Sequence, residues 1–155
     1  MVVCVSDQQK ASAAHQPFTV DVAMRWGDQD SLGHINNVQI ARIVEESRVR
    51  AMTEWFGDAR TEFWTVLARQ ELEFVSILHY SAEPVTVHVW ISRIGTSSFD
   101  FGCRLVAPTG EVAALSDTTV TAVDPATQRP MPLTDFLVDR LRERLGDPVP
   151  LRRRR

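Results

Sequence analysis

Arg25-Trp26-Gly27-Asp28-Gln29-Asp30-Ser31-Leu32-Gly33-His34-Ile35-Asn36-Asn37 is the stretch on which the reading of this chain turns. It gathers two carboxylates, a histidine, side-chain amides and two glycines into thirteen residues. Before it, Phe18, Val20, Val22, Met24 and Trp26 alternate with Thr19, Asp21, Ala23 and Arg25. That period of two predicts a half-buried strand over 18–26. After it, the spacing predicts a helix from Asn37 to about Phe56, capped by Asn36 or Asn37 and stopped by Gly57. The stretch is therefore a polar hinge between a strand and a helix whose N-terminal amides face it.

Working outward, the helix has a wide apolar arc. At 100° per residue, Val38, Ile40, Ala41, Val44, Ala51, Met52, Trp55 and Phe56 share one side, and Gln39, Arg42, Glu46, Arg50 and Glu54 share the other. Glu45 and Arg48 fall inside the apolar arc, three apart, where they can pair. Unpaired burial of either charge would cost several kcal/mol. Beyond the connection at 57–63 the pattern is strands: about 64–78, 84–94, 98–107 and 111–123, with turns at Gly95-Thr96-Ser97 and Pro108-Thr109-Gly110. The last three predict an antiparallel meander. A short helix over 134–145, capped by Thr134 or Asp135, closes the pattern. The sum is an α+β fold, an antiparallel sheet wrapped around one long central helix. Such a sheet leaves edge strands and an uncovered face, on which Trp90 is expected, and a homodimer is the expected cover.

The 155 residues suit one domain, expected at 17–146 between a leader at 1–16 and an Arg-rich tail at 147–155. No run approaches the ~18 apolar residues of a membrane span and no signal peptide is evident, so a cytoplasmic protein without membrane association is expected. Cys4 and Cys103 are isolated and read as free thiols, with Cys103 alternating into the core beside Phe101 and Leu105. The net charge is −3, and Arg152-Arg153-Arg154-Arg155 contributes +4, so the rest of the chain stands at −7. That balance argues against a nucleic-acid partner. The arginine run reads as a solvated tail. His15, His79 and His88 have no partner legible in the sequence and read as structural or surface residues.

Two metal readings of the hinge fail on spacing. Asp28-x-Asp30-x-x-Gly33 imitates the start of an EF-hand loop, but Leu32 stands at the fifth position and Gln39 at the twelfth, and a strand precedes it. His34 with Asp28 or Asp30 falls short of three zinc ligands. No metal is expected. A carboxylate beside a helix start can act as nucleophile or as base for a water, while helix amides polarise an acyl oxygen. Gly33 would let an acyl group come close. Asp30 and Asn36 acting only as helix caps fits the residues equally well.

Trp26 to Asn37 in this order, followed by Val44-Glu45-Glu46-Ser47-Arg48 and Arg93-Ile94-Gly95-Thr96-Ser97-Ser98-Phe99, resembles the hotdog-fold thioesterases, in the branch of 4-hydroxybenzoyl-CoA thioesterase-like and acyl-CoA thioesterase proteins. The likeness covers about residues 18–124. It implies that Asp30 is nucleophile or general base for hydrolysis of an acyl-CoA to free acid and coenzyme A, with helix amides as oxyanion donors. Gly33-His34-Ile35-Asn36-Asn37 is also similar to a segment of plant fatty acyl-carrier-protein thioesterases, which brings in His34 as catalytic, although Leu32 stands where those enzymes carry Asn. Asn36 and Asn37 would position water or carbonyl. Glu45 and Arg48 match a Glu-x-x-Arg of the central helix that would orient the hinge or support a dimer. Gly33, Arg93, Thr96, Ser97 and Ser98 would contact coenzyme A, which enters as part of the substrate and not as a cofactor. The expected assembly is a homodimer, possibly a tetramer. The loop 57–65, with Phe63 and Trp64, would bear on the acyl group. A non-catalytic acyl-CoA or acyl-carrier-protein binding module and a hydratase on the same fold are the alternatives that the resemblance leaves.

Overall fold

The computed structural model describes residues 16–152. Cys4, His15, the expected leader except Gln16, and Arg153 to Arg155 lie outside them. The sheet has five strands: β1 (Phe18–Val22), β2 (Trp64–Phe74), β3 (Val85–Ile94), β4 (Ser98–Val106) and β5 (Val112–Val123). They lie in the order β1-β3-β4-β5-β2, and all neighbours are antiparallel. The meander expected from 84 to 123 is there as β3, β4 and β5. The two strands that flank the long helix in sequence go to opposite edges of the sheet.

Helix α1 (Asn37–Phe56) packs on the inner face. Asn36 caps it, its side chain accepting from the Val38 N–H at 2.9 Å, and Gly57 ends it at φ +48°. Trp55 stacks on Phe101 at 6.0 Å and 15°, and Phe18 meets the edge of Trp55 at 6.3 Å. Under them Val85, Val87, Val89 and Ile91 of β3 and Phe99, Phe101, Cys103 and Leu105 of β4 are buried. At about 1.5–3 kcal/mol for each fully buried side chain of this size, the helix–sheet contact dominates the stability. Burial also pushes the Cys103 thiol up to about 12, so it is a core residue, as its alternation suggested.

Three details differ from the sequence reading. The first strand ends at Val22, because Trp26–Asp28 forms one 3-10 turn in which the Asp28 carboxylate accepts the Arg25 N–H at 2.8 Å. Trp26 is thereby turned out to 76% exposure instead of lining the core. The strand expected to reach 78 stops at Phe74, where Val75 and Ser76 both donate to the Ala113 carbonyl, and residues 78–79 join the hinge instead. On α1 the buried side is shifted: Ile43 and Ser47 are inside, Val38 is exposed, Arg48 is buried and Glu45 is not. Glu45 and Arg48 form no ion pair among the described residues: Glu45 is exposed in a cleft beside β1, whereas Arg48 turns into the core. Arg48 instead lies over the Phe101 ring at 5.9 Å, its Nε buried without a hydrogen-bond partner.

Helix α2 (Asp135–Arg142) starts at Thr134, whose hydroxyl accepts the Leu137 N–H at 3.3 Å. The chain then returns to the sheet. Leu145 bridges Ile91 beyond the start of β1, and residues 146–152 cross the outer face of the sheet. Trp90 is not left for a partner to cover. Gly146 packs on it, and its Nε1–H donates to the Asp147 carbonyl at 2.7 Å. No helix of the described residues is long and apolar enough to cross a membrane.

Candidate active site

The hinge is a miniature hairpin. Gln29 bridges Ile35, the Asp30 N–H donates to the His34 carbonyl at 2.7 Å, and the Asn36 N–H donates to the Asp28 carbonyl at 2.8 Å. The reversal at 30–33 closes through Gly33 N–H to the Asp30 carbonyl at 3.1 Å, with Gly33 at φ +77°, a conformation that glycine adopts without strain. The returning arm pairs with 78–79: Ile35 N–H donates to the Leu78 carbonyl at 2.8 Å and His34 bridges His79. Backbone pairing, with Ile35 and Leu78 buried in the core beside it, thus sets where Asp30 and His34 stand.

The Asp30 carboxylate is held at one oxygen. Its Oδ1 accepts the Leu32 N–H at 2.8 Å and the His34 N–H at 3.1 Å. The His34 amide above all, and then the Leu32 amide, holds its carboxyl below the usual carboxylate range, with the His34 ring adding a little. The group is half-buried and ionised at neutral pH, and its Oδ2 accepts no hydrogen bond among the described residues. Asp30, His34 and Asn37 share a cleft of about 320 Å³ with Ile40 and with residues 74–78 at the end of β2. Asn36 lies at the same point but spends its side chain on the cap. The Val38 and Gln39 amides are taken by Asn36, whereas the Asn37 N–H bonds to no protein group among the described residues.

One member of this cluster was not legible in the sequence. His79 sets its ring edge-on to His34, with centroids 5.4 Å apart. It is 45 residues from His34, and only the bridge between 34 and 79 brings them together. His88 is elsewhere, on the outer face, its Nδ1 3.1 Å from the Thr19 hydroxyl. No group of three metal-ligating side chains occurs among the described residues.

Within one chain, Arg93, Thr96, Ser97 and Ser98 do not join the cluster. The hinge lies at the start of β3 and the 95–98 turn at its end, ten residues and about 30 Å away. Arg93 is bound to the buried Asp100 through Nε at 2.6 Å and a terminal nitrogen at 2.9 Å. That paired hydrogen bond raises the Arg93 pKa further and offsets its charge. The turn's backbone is also used: Thr96 and Ser97 carbonyls accept from Leu133 and Ala122 at 2.8 and 2.9 Å. A second cleft, of about 460 Å³, lies at the far end of α1 between Met52, Gly57, Phe63 and Trp64. It is larger but contains no carboxylate, and α1 separates it from Asp30 by about 30 Å.

A single long helix packed into a five-stranded antiparallel sheet, with an ionised carboxylate at the helix start, is the hotdog architecture of proteins that act on acyl thioesters. A model of the thioesterase-like superfamily matches residues 24–141, and the chain belongs to that superfamily; it is a thioester hydrolase. The chain is similar to a predicted thioesterase from Bacillus stearothermophilus, at 28% identity and TM-score 0.74 over 84% of this chain and 98% of that one. It is similar, at 29% identity and TM-score 0.72, to a thioesterase from Thermus thermophilus in complex with coenzyme A and zinc, over 82% of this chain and 98% of that one. A thioesterase-superfamily protein from a Jannaschia species shares the fold at 20% identity and TM-score 0.78, over 94% and 99%. No curated protein sequence matches the chain significantly.

Proposed function

We propose that this chain hydrolyses an acyl-CoA to free acid and coenzyme A, with Asp30 as general base or nucleophile. The observation that carries the reading is the Asp30 carboxylate: ionised, held at Oδ1 by two amides, and set at the start of α1 in a cleft. The coenzyme A bound to the Thermus thioesterase supports the choice of thiol. In the general-base form, Asp30 Oδ2 takes a proton from water and the hydroxide adds to the thioester carbon. The Asn37 N–H and the helix start favour the negative oxygen. The intermediate then collapses, the C–S bond breaks, and the thiolate leaves with the proton from Asp30. His34 and the Asn37 side chain orient water or carbonyl.

A homodimer completes this reading. β2 is an eleven-residue strand on the sheet edge, with Trp64, Val66, Leu67 and Phe74 about half exposed. Such an edge pairs readily with its own copy, and a two-fold axis makes that pairing antiparallel. The start of the partner's β2, and with it the partner's 95–98 turn, then comes beside the end of this β2 and the Asp30 cleft. Glu45, in a cleft with Val22, Ala23 and Arg25, and Arg48, buried over Phe101, lie away from that contact.

The test is thiol release from a panel of acyl-CoAs by the parent and by Asp30→Asn. Asparagine keeps the Oδ1 acceptor of the turn and removes the base. A rate lower by about 10²–10⁴ is expected; parent-level release from the variant would remove Asp30 from the chemistry.

A further inference from the structure

His34 lines the Asp30 cleft, but nothing polar holds its ring. Its amide is spent on the Asp30 carboxylate, and among the described residues neither ring nitrogen makes a hydrogen bond. An imidazole that orients water or a carbonyl needs its ring fixed, and a carboxylate or carbonyl bound to the second nitrogen is the usual means. Here the group set against the ring is His79, edge-on at 80° with centroids 5.4 Å apart. Aromatic rings attract each other at that separation and angle.

The backbone under His79 keeps that contact in place. The Val75 and Ser76 N–H groups donate to the Ala113 carbonyl at 2.8 and 3.3 Å, and the Ser76 hydroxyl donates to the Val112 carbonyl at 3.0 Å. Leu78 is buried, and its carbonyl accepts the Ile35 N–H. The 75–79 segment is therefore fastened to the start of β5 on one side and to the hinge on the other. Residues opposed in an antiparallel bridge project to the same side, so the bridge between 34 and 79 brings the two rings together. His79 itself lines the neighbouring cleft, of about 390 Å³, with Tyr80, Ser81 and Glu83. It meets the His34 ring from outside the Asp30 cleft.

We infer that His79 is a positioning residue, whose ring holds the His34 imidazole in the orientation that serves the Asp30 cleft. The inference rests on the hydrolytic reading of that cleft. Among the described residues no hydrogen bond joins the two imidazoles, so the role belongs to the shape of the ring and not to its nitrogens. Phenylalanine should therefore replace His79, and alanine should not.

The experiment joins thiol release to NMR of the histidine rings, in the parent, His79→Ala, His79→Phe, His34→Ala and the double variant His34→Ala with His79→Ala. On the acyl-CoA that the parent cleaves fastest, His79→Ala should lower kcat about three- to tenfold with KM within about twofold, the rate equivalent of one side chain left to be immobilised. His79→Phe should return kcat to within about twofold of the parent. In the His34→Ala background, removing His79 should cost nothing further, because it acts through the ring already lost. A parent-level kcat in His79→Ala, an effect confined to KM, no rescue by phenylalanine, or losses that multiply in the double variant would each overturn the role. The NMR arm decides independently of turnover. The His34 ring signals, assigned by their loss in His34→Ala, should show Overhauser contacts of one orientation in the parent and in His79→Phe, and of averaged rotamers in His79→Ala. The same single orientation in His79→Ala overturns the inference. A parent without thiol release would sink the hydrolytic reading instead, and the Overhauser contacts would still show whether His79 holds the ring.

Discussion

The indole of Trp90 lies against the α-carbon of Gly102 on the neighbouring strand, so closely that a β-carbon there would sit 2.3 Å from its Cε2. The same indole leaves 2.8 Å for a β-carbon at Gly146 and donates its N–H to Asp147. One tryptophan thus clamps the returning C-terminal segment to the sheet through two glycines. Gly102→Ala would force the ring off β4, because the strand backbone cannot retreat without breaking its ladder. A loss of about 1–3 kcal/mol is expected, read as a fall in Tm of roughly 3–10 °C with a red-shifted tryptophan emission. A Tm within 1 °C of the parent would show that the clamp contributes nothing.

The Asp30 carboxyl is lowered by two amides, so its pH behaviour has a definite sign. A depressed carboxylate is ionised throughout the neutral range. The stability it confers is present above the unfolded value of about 3.9 and is lost as pH falls through the lower folded value. The acid limb of kcat/KM governed by Asp30 should therefore lie below about pH 4, with a level profile from about pH 5 upward until another group intervenes. The measurement is thiol release after brief exposure to each pH. A limb centred near 6.5 would instead report a histidine in the chemistry.

The exposed β2 edge makes the assembly testable without touching the hinge. A lysine in place of Val66, or a glutamate in place of Leu67, leaves the single chain nearly unperturbed because both side chains are about half exposed. In a paired edge each would bury a charge. Light scattering should show a dimer for the parent and at least a tenfold weaker association for Val66→Lys and Leu67→Glu, with thiol release falling in step as the partner's 95–98 turn is lost. A parent that is monomeric and fully active would overturn the paired-edge arrangement.

Much of the fold was legible because periodicity reports burial. Val85, Val87, Val89 and Ile91 alternate in the sequence and lie inside in the structure, and α1 runs from Asn37 to Phe56 between the Asn36 cap and Gly57 as the capping chemistry required. The hinge was also legible as a chemical cluster, since Asp30, Gly33, His34, Asn36 and Asn37 are close in sequence and a turn cannot separate them. Where the reading departed, local pattern was overruled by a hydrogen bond. Trp26 had the right parity for the core, but the Arg25–Asp28 bond ended the strand and turned it out.

What the sequence by itself determined is the set of elements, their apolar faces and the local chemistry of 25–37, all of which depend on residues within a few turns of one another. Tertiary structure alone decided the rest. It placed β2 at the edge beside β5, set His79 against His34, and laid the C-terminal segment over Trp90 onto Glu73. Each of these joins residues that share no periodicity and no local turn. Backbone pairing across the sheet fixes them, and a one-dimensional pattern carries no record of which strand will lie beside which.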